Sequence, residues 1–154
     1  MKMKYSAIGS LLIVLVATMI ISSCKSSEAQ GNQGIKGTVL WYEGNLMPSP
    51  QQDPPEGKPV VREMFIYKLT NIGDTKQNEQ FFSDIKTELV KTVTTDKNGK
   101  FKVDLPEGTY SIFSKEENGL FANYFDGNNS IAPVQVVSNQ YSEIKFRIDY
   151  KAAY

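Results

Sequence analysis

From residue 35 onward the apolar positions recur with a period of two rather than 3.6. Ile144, Phe146 and Ile148 alternate with Lys145, Arg147 and Asp149, the pattern of a strand with one buried face. Phe101, Val103 and Leu105 alternate with Lys100, Lys102 and Asp104 in the same way. Met64, Phe65, Ile66 and Tyr67 are apolar in succession, which predicts a strand over 60–69 covered on both faces. Further strands are predicted over 34–42, 88–95, 108–114 and 131–137. About seven strands separated by turn signals predict an all-β fold, a single antiparallel β-sandwich. The one helical signal is a single turn over 80–85, with Phe81, Phe82 and Ile85 pointing inward.

Turn chemistry sets the punctuation. Thr95, Asp96, Lys97, Asn98, Gly99 and Lys100 lie between two runs of period two. Asp favours the start of a turn and Gly supplies the positive φ of a tight loop, so a hairpin is predicted to join 88–95 to 100–105. Leu105, Pro106, Glu107 and Gly108 form a second turn. Pro106 cannot donate to a ladder and belongs at a strand end. Asp96, Gly99, Pro106 and Gly108 are therefore the structural turn residues. Two excursions, 43–58 with Pro48, Pro50, Pro54 and Pro55, and the largely polar 70–86, are read as long surface segments.

The N-terminus carries a different pattern. Lys2 and Lys4 precede an apolar run, 8–21, broken only by Gly9, Ser10 and Thr18. Ile21, Ser22, Ser23 and Cys24 follow, and Cys24 is the only cysteine. The run is shorter than the ~20 residues of a membrane span. Basic, apolar and small-residue regions in that order make a secretory signal, and the segment resembles bacterial lipoprotein signal peptides. The resemblance implies that Cys24 is lipidated and becomes the first mature residue. Residues 1–23 are then signal peptide, 24–34 the lipidated Cys and a flexible Gly/Ser/Gln tether, and 35–154 the domain. Two or more lipid chains give stable anchoring without help from the protein surface. The expected location is a bacterial cell envelope, at the outer membrane, with the facing leaflet open.

A family resemblance joins the turn and strand signals. Gly37, Thr38 and Val39 open the first strand, and Pro59 and Val60 precede the second. Thr95, Asp96, Gly99 and Phe101 follow, then Leu105, Pro106, Gly108 and Tyr110. In this order they resemble the carboxypeptidase regulatory-like domain, a prealbumin-like (transthyretin-like) β-sandwich related in architecture to Ig-like folds. The similarity covers most of 35–115. It implies a non-catalytic accessory, adhesive or binding module without the carboxypeptidase domain itself, and the fold transfers further than the function.

Composition narrows the chemistry. The chain holds 17 Lys and Arg against 17 Asp and Glu, and no His. Two of the lysines lie in the signal peptide, so the domain gives no basic footprint for nucleic acid. One cysteine forms no intrachain disulfide. Without His, His-based triads and general bases are excluded, and zinc or copper sites lose their usual ligands. Glu116 and Glu117 are adjacent and point to opposite faces of a strand. Asp126 with its Asn neighbours, and Asp96 with Asn98, lack the spacing of a calcium loop and are read as turns. No cofactor or metal is expected. The candidate contact surface is 119–127, where Phe121, Tyr124 and Phe125 fall within one segment. Exposed aromatics anchor partners, although Phe121 and Phe125 equally suit the end of a sandwich core. The expected function is a non-enzymatic, lipid-anchored interaction module with a protein or glycan partner. The alternative is a glycan- or peptide-binding surface lipoprotein that uses the 119–127 aromatics.

Overall fold

The computed structural model describes residues 32–47 and 56–154. The expected signal peptide, Cys24, most of the expected tether and residues 48–55 of the first excursion lie outside the described residues. Eleven strands form in chain order. They are β1 (Gly34–Asn45), β2 (Lys58–Pro59), β3 (Glu63–Lys68), β4 (Lys76–Asn78), β5 (Phe81–Ser83) and β6 (Leu89–Thr94). β7 (Lys100–Asp104), β8 (Gly108–Glu116), β9 (Gly119–Phe121), β10 (Pro133–Val136) and β11 (Tyr141–Ala153) follow. Among the described residues the only helical element is a 3-10 turn, Ile72–Asp74.

The strands pack as two sheets, so the fold is an all-β sandwich. In the smaller sheet β1 lies between β11 on one side and β2 and β7 on the other. The larger sheet runs β4-β5-β9-β8-β3-β6, with β10 also on β8. The core gathers Ile35 and Val39 from β1, Phe101 and Val103 from β7, and Phe146 and Ile148 from β11. Met64 and Ile66 from β3, Tyr110 and Ile112 from β8, and Phe81 and Phe121 from β5 and β9 are among the residues that join them. All seven strands expected from periodicity form. The four extra ones, β2, β4, β5 and β9, are only two or three residues long, too short to show a period.

Four expectations need correction. First, β1 and β11 pair in parallel, from Gly34 opposite Tyr141 to Asn45 opposite Ala153, so the sandwich is not purely antiparallel. A bulge between Trp41 and Glu43 faces Ile148 to Lys151 and leaves β11 with an extra residue. Bulges re-aim side chains, and this one lies beside Tyr150.

Second, residues 88–95 and 100–105 are not a hairpin. The turn itself forms: Asp96 Oδ1 accepts the N–H groups of Asn98 and Lys100, each at 2.8 Å. Its flanking strands nevertheless join different sheets, β6 pairing with β3 and β7 with β1. Buried Thr95 explains the split. Its N–H donates to Arg62 O at 2.9 Å, and its hydroxyl donates to Val60 O and accepts from Arg62 N–H, both at 2.8 Å. The end of β6 is thereby tied to the chain that enters β3. Gly99 O instead accepts Val39 N–H at 2.8 Å, which hands the chain to β1. The Pro106 turn also crosses between sheets, and Tyr110 Oη donates back to Pro106 O at 2.9 Å, a tyrosine-corner arrangement.

Third, 80–85 holds no helical turn. Phe81–Ser83 is a strand between β4 and β9. Successive strand residues face opposite ways. Phe81 meets Phe121 and Tyr150, while Phe82 meets Phe113 and Phe125. Two adjacent phenylalanines suit either period, and the sheet decided between them. The 70–86 excursion thus carries β4, β5 and the 3-10 turn. Fourth, β3 is covered on one face only: Met64 and Ile66 are fully buried, whereas Phe65 and Tyr67 are half-buried.

Candidate functional site

The 119–127 segment divides between core and surface. Phe121 ends β9 and is 0% exposed, packed among Phe81, Phe146 and Tyr150 with ring centroids 5.3–6.5 Å away. The expectation that Phe121 contacts a ligand is therefore corrected: it has no surface to offer. Phe125 is 37% exposed and rests on Phe82 at 6.1 Å. Only Tyr124, at 59%, is a projecting aromatic. It lines a groove of ≈ 380 Å³ with Asn123, Pro133, Val134, Ile144 and Arg147, above Ile112 and Phe146. The groove runs between β10 and β11. Ser142 Oγ donates to Gln135 O, and Asn123 Nδ2 donates to Asp149 Oδ1 at 2.7 Å; each bond ties a groove wall to β11. Asp149 also accepts from Arg147 Nε at 2.9 Å, and the Arg147 guanidinium lies 4.1 Å over the Tyr42 ring.

A second concavity of ≈ 410 Å³ lies where the larger sheet is left half-covered. Phe65, Tyr67 and Phe82 line it with Ser83, Asp84 and Ile85 from one side and Lys115, Glu117 and Leu120 from the other. The Tyr67 ring stands edge-to-face on Phe113 at 5.7 Å, and burial pushes its phenol pKa up. Asp84 pairs with Lys76 at 2.7 Å, a hydrogen bond that holds its carboxyl below the usual value. Lys115 Nζ sits 5.8 Å from the Phe65 centroid and 3.8 Å from Glu63.

A third site closes one end of the sandwich. The Glu116 side chain is 3% exposed. It accepts Arg62 Nε–H on both oxygens, at 3.1 and 3.3 Å, and Tyr150 Oη–H at 3.0 Å. Burial, then the hydrogen bond to Glu116, pushes the Tyr150 pKa up to about 12. Trp41 meets Tyr150 edge-on at 5.2 Å and lies 5.6 Å from the Arg62 guanidinium. Glu117 is exposed in the turn that follows β8, so the two adjacent acids are not two residues of one strand, and both also line the second concavity. The expected turn residues act as turns: Asp126 Oδ1 accepts Asn128 N–H at 2.9 Å and Ser130 N–H at 2.8 Å. The Ser130 bond is the main cause of its lowered pKa.

Comparison with protein-family models, curated proteins and solved structures finds no match. Function must be read from these three surfaces. Sequence reasoning found Tyr124. It missed Phe65 and Tyr67 as surface aromatics, and the signal was there: an unbroken apolar run on a strand becomes a surface feature when one face lacks cover. The Arg62–Glu116–Tyr150 cluster left no local trace, because its members come from three distant segments.

Proposed function

We propose that this chain is a non-enzymatic, lipid-anchored protein of the bacterial outer membrane whose β-sandwich is an interaction module. Cys24 is the anchor, and the segment after it is the tether. Gln33 ends the tether on the domain: its amide donates to Leu105 O at 3.3 Å and accepts from Asn139 N–H at 3.1 Å. The order of turn motifs, similar to the carboxypeptidase regulatory-like family, supports an accessory role. The observation that carries the interaction reading is the Tyr124 groove, where an exposed aromatic overhangs a concave, largely apolar floor. Such anchors concentrate binding energy at interfaces.

Two measurements test the proposal. Radiolabelled palmitate is expected to enter the wild type and not Cys24→Ala, and equal labelling of both would remove the anchor. In-cell crosslinking with mass spectrometry is expected to recover one dominant envelope partner, with recovery reduced in Tyr124→Ala at unchanged melting temperature. Unaltered recovery in that variant would move the contact away from the groove. Capture of glycan or peptide through the 119–127 aromatics remains a second reading, now centred on Tyr124 because Phe121 is buried.

A further inference from the structure

The cavity over Phe65 and Tyr67 suits a ligand of definite chemistry. The two rings are two residues apart on β3 and so share one face, with backbone positions ~7 Å apart. Half-buried rings on a sheet face are fixed platforms with little entropy left to lose on contact. Around them the polar groups are mixed. The hydroxyls of Tyr67 and Ser83 have no hydrogen-bond partner among the described residues. Lys115 donates, Glu117 accepts, and both are exposed. Asp84 is already neutralised by Lys76. Glu116, which also lines the cavity, pairs with Arg62, and Lys115 lies 3.8 Å from Glu63, so Glu117 is the one charge of the lining without an ion pair among the described residues and nothing there selects an anionic ligand.

We propose that this cleft binds a neutral oligosaccharide, stacked on Phe65 and Tyr67 and hydrogen-bonded by Tyr67, Ser83, Lys115 and Glu117. Sugar hydroxyls both donate and accept, which matches a rim containing both kinds of group. The C–H faces of a pyranose match flat aromatic rings. A peptide fits less well, because extended peptides gain affinity by adding to an unpaired strand edge. Here the floor is a sheet face whose strands β3, β8 and β9 are each paired on both sides. The volume is at the lower end of small-ligand sites, which span ~300–1,000 Å³. The cleft is separate from the Tyr124 groove, so its failure leaves the interaction-module proposal standing.

The test is calorimetric titration of the full-length lipoprotein in micelles of a detergent without a sugar headgroup. The probes are cellohexaose, xylohexaose, laminarihexaose, maltohexaose and chitohexaose. At least one is expected to bind, and Tyr67→Ala to weaken it by about ten-fold or more. Glu117→Gln is expected to weaken it less. Val137→Ser, at an exposed apolar position outside the cavity, is expected to bind as wild type does. If Tyr67→Ala fails to unfold cooperatively, Glu117→Gln and Lys115→Met at exposed positions carry the test. Failure of every hexasaccharide to bind at millimolar concentration overturns the proposal. So does binding that is indifferent to Glu117 and Lys115.

Discussion

At the scale of single residues, Gly99 is tightly constrained. Its φ is +70°, and a Cβ built there would lie 2.4 Å from Val39 O and 3.2 Å from Val60 N. Gly99→Val combines a β-branched residue at positive φ with a backbone collision, and its cost is expected to exceed ~1 kcal/mol. Thermal unfolding checks it, and an unchanged melting temperature would show that the corner can relax. Tyr150 makes a second prediction. Its folded pKa is raised from 10.0 to about 12, so the fold favours the neutral phenol. The unfolded chain releases this proton first as pH rises. Tyr150 therefore stabilises fully below about pH 10, and its contribution is lost as pH rises to about 12. Denaturant titrations across that window are expected to fall more steeply for wild type than for Tyr150→Phe; parallel slopes would refute the assignment. Gly99 was visible in the sequence because turn chemistry is local. The Glu116 environment was not, because Arg62 and Tyr150 reach it from other segments.

At the scale of elements, legibility followed strand length and exposure. β7 alternates strictly, and β11 alternates over 144–149 before its bulge, because one face meets the core and the other meets water. β5 and β9 escaped because three residues hold no period. The supposed hairpin failed for a different reason: Asp96 and Gly99 specify a chain reversal, while Thr95 specifies which strand each arm joins. The 119–127 aromatics show the same division between local and tertiary information. A pair of truncations measures it. Phe121→Ala empties a fully buried site touching Phe81, Phe146 and Tyr150 and is expected to cost ~3–5 kcal/mol. Tyr124→Ala removes a ring that stands mostly in solvent and is expected to stay within ~0.5 kcal/mol. Equal costs in urea titrations would contradict the split between core and surface.

At the scale of the whole molecule, the first and last strands lie side by side, and the rest of the described domain lies between them in sequence. Parallel pairing of β1 with β11 is thus the longest-range contact in the fold, and loop-closure entropy makes such contacts slow to form. It also gathers the end cluster, since Tyr150 on β11 meets Trp41 on β1, Phe81 on β5 and Phe121 on β9. Trp41 is the only tryptophan of the chain, which makes it a clean reporter of that assembly. Ending the chain after Ile148 would remove Tyr150 from Trp41 and Glu116, and Asp149 from Asn123 and Arg147. It would also unpair Glu43, Gly44 and Asn45, whose partners are Lys151, Ala152 and Ala153. Buried Glu116 would open to water beside Arg62, and only the end of β1 would lose its β11 neighbour. The expected result is a marked fall in melting temperature and a red shift of Trp41 emission. Tyr150→Phe, which keeps the ring and loses only the hydroxyl, should leave the emission near its native position. Native emission and native melting in the truncated chain would mean that the remaining pairing of 34–41 with 141–148 suffices without the aromatic cluster or the end of β11.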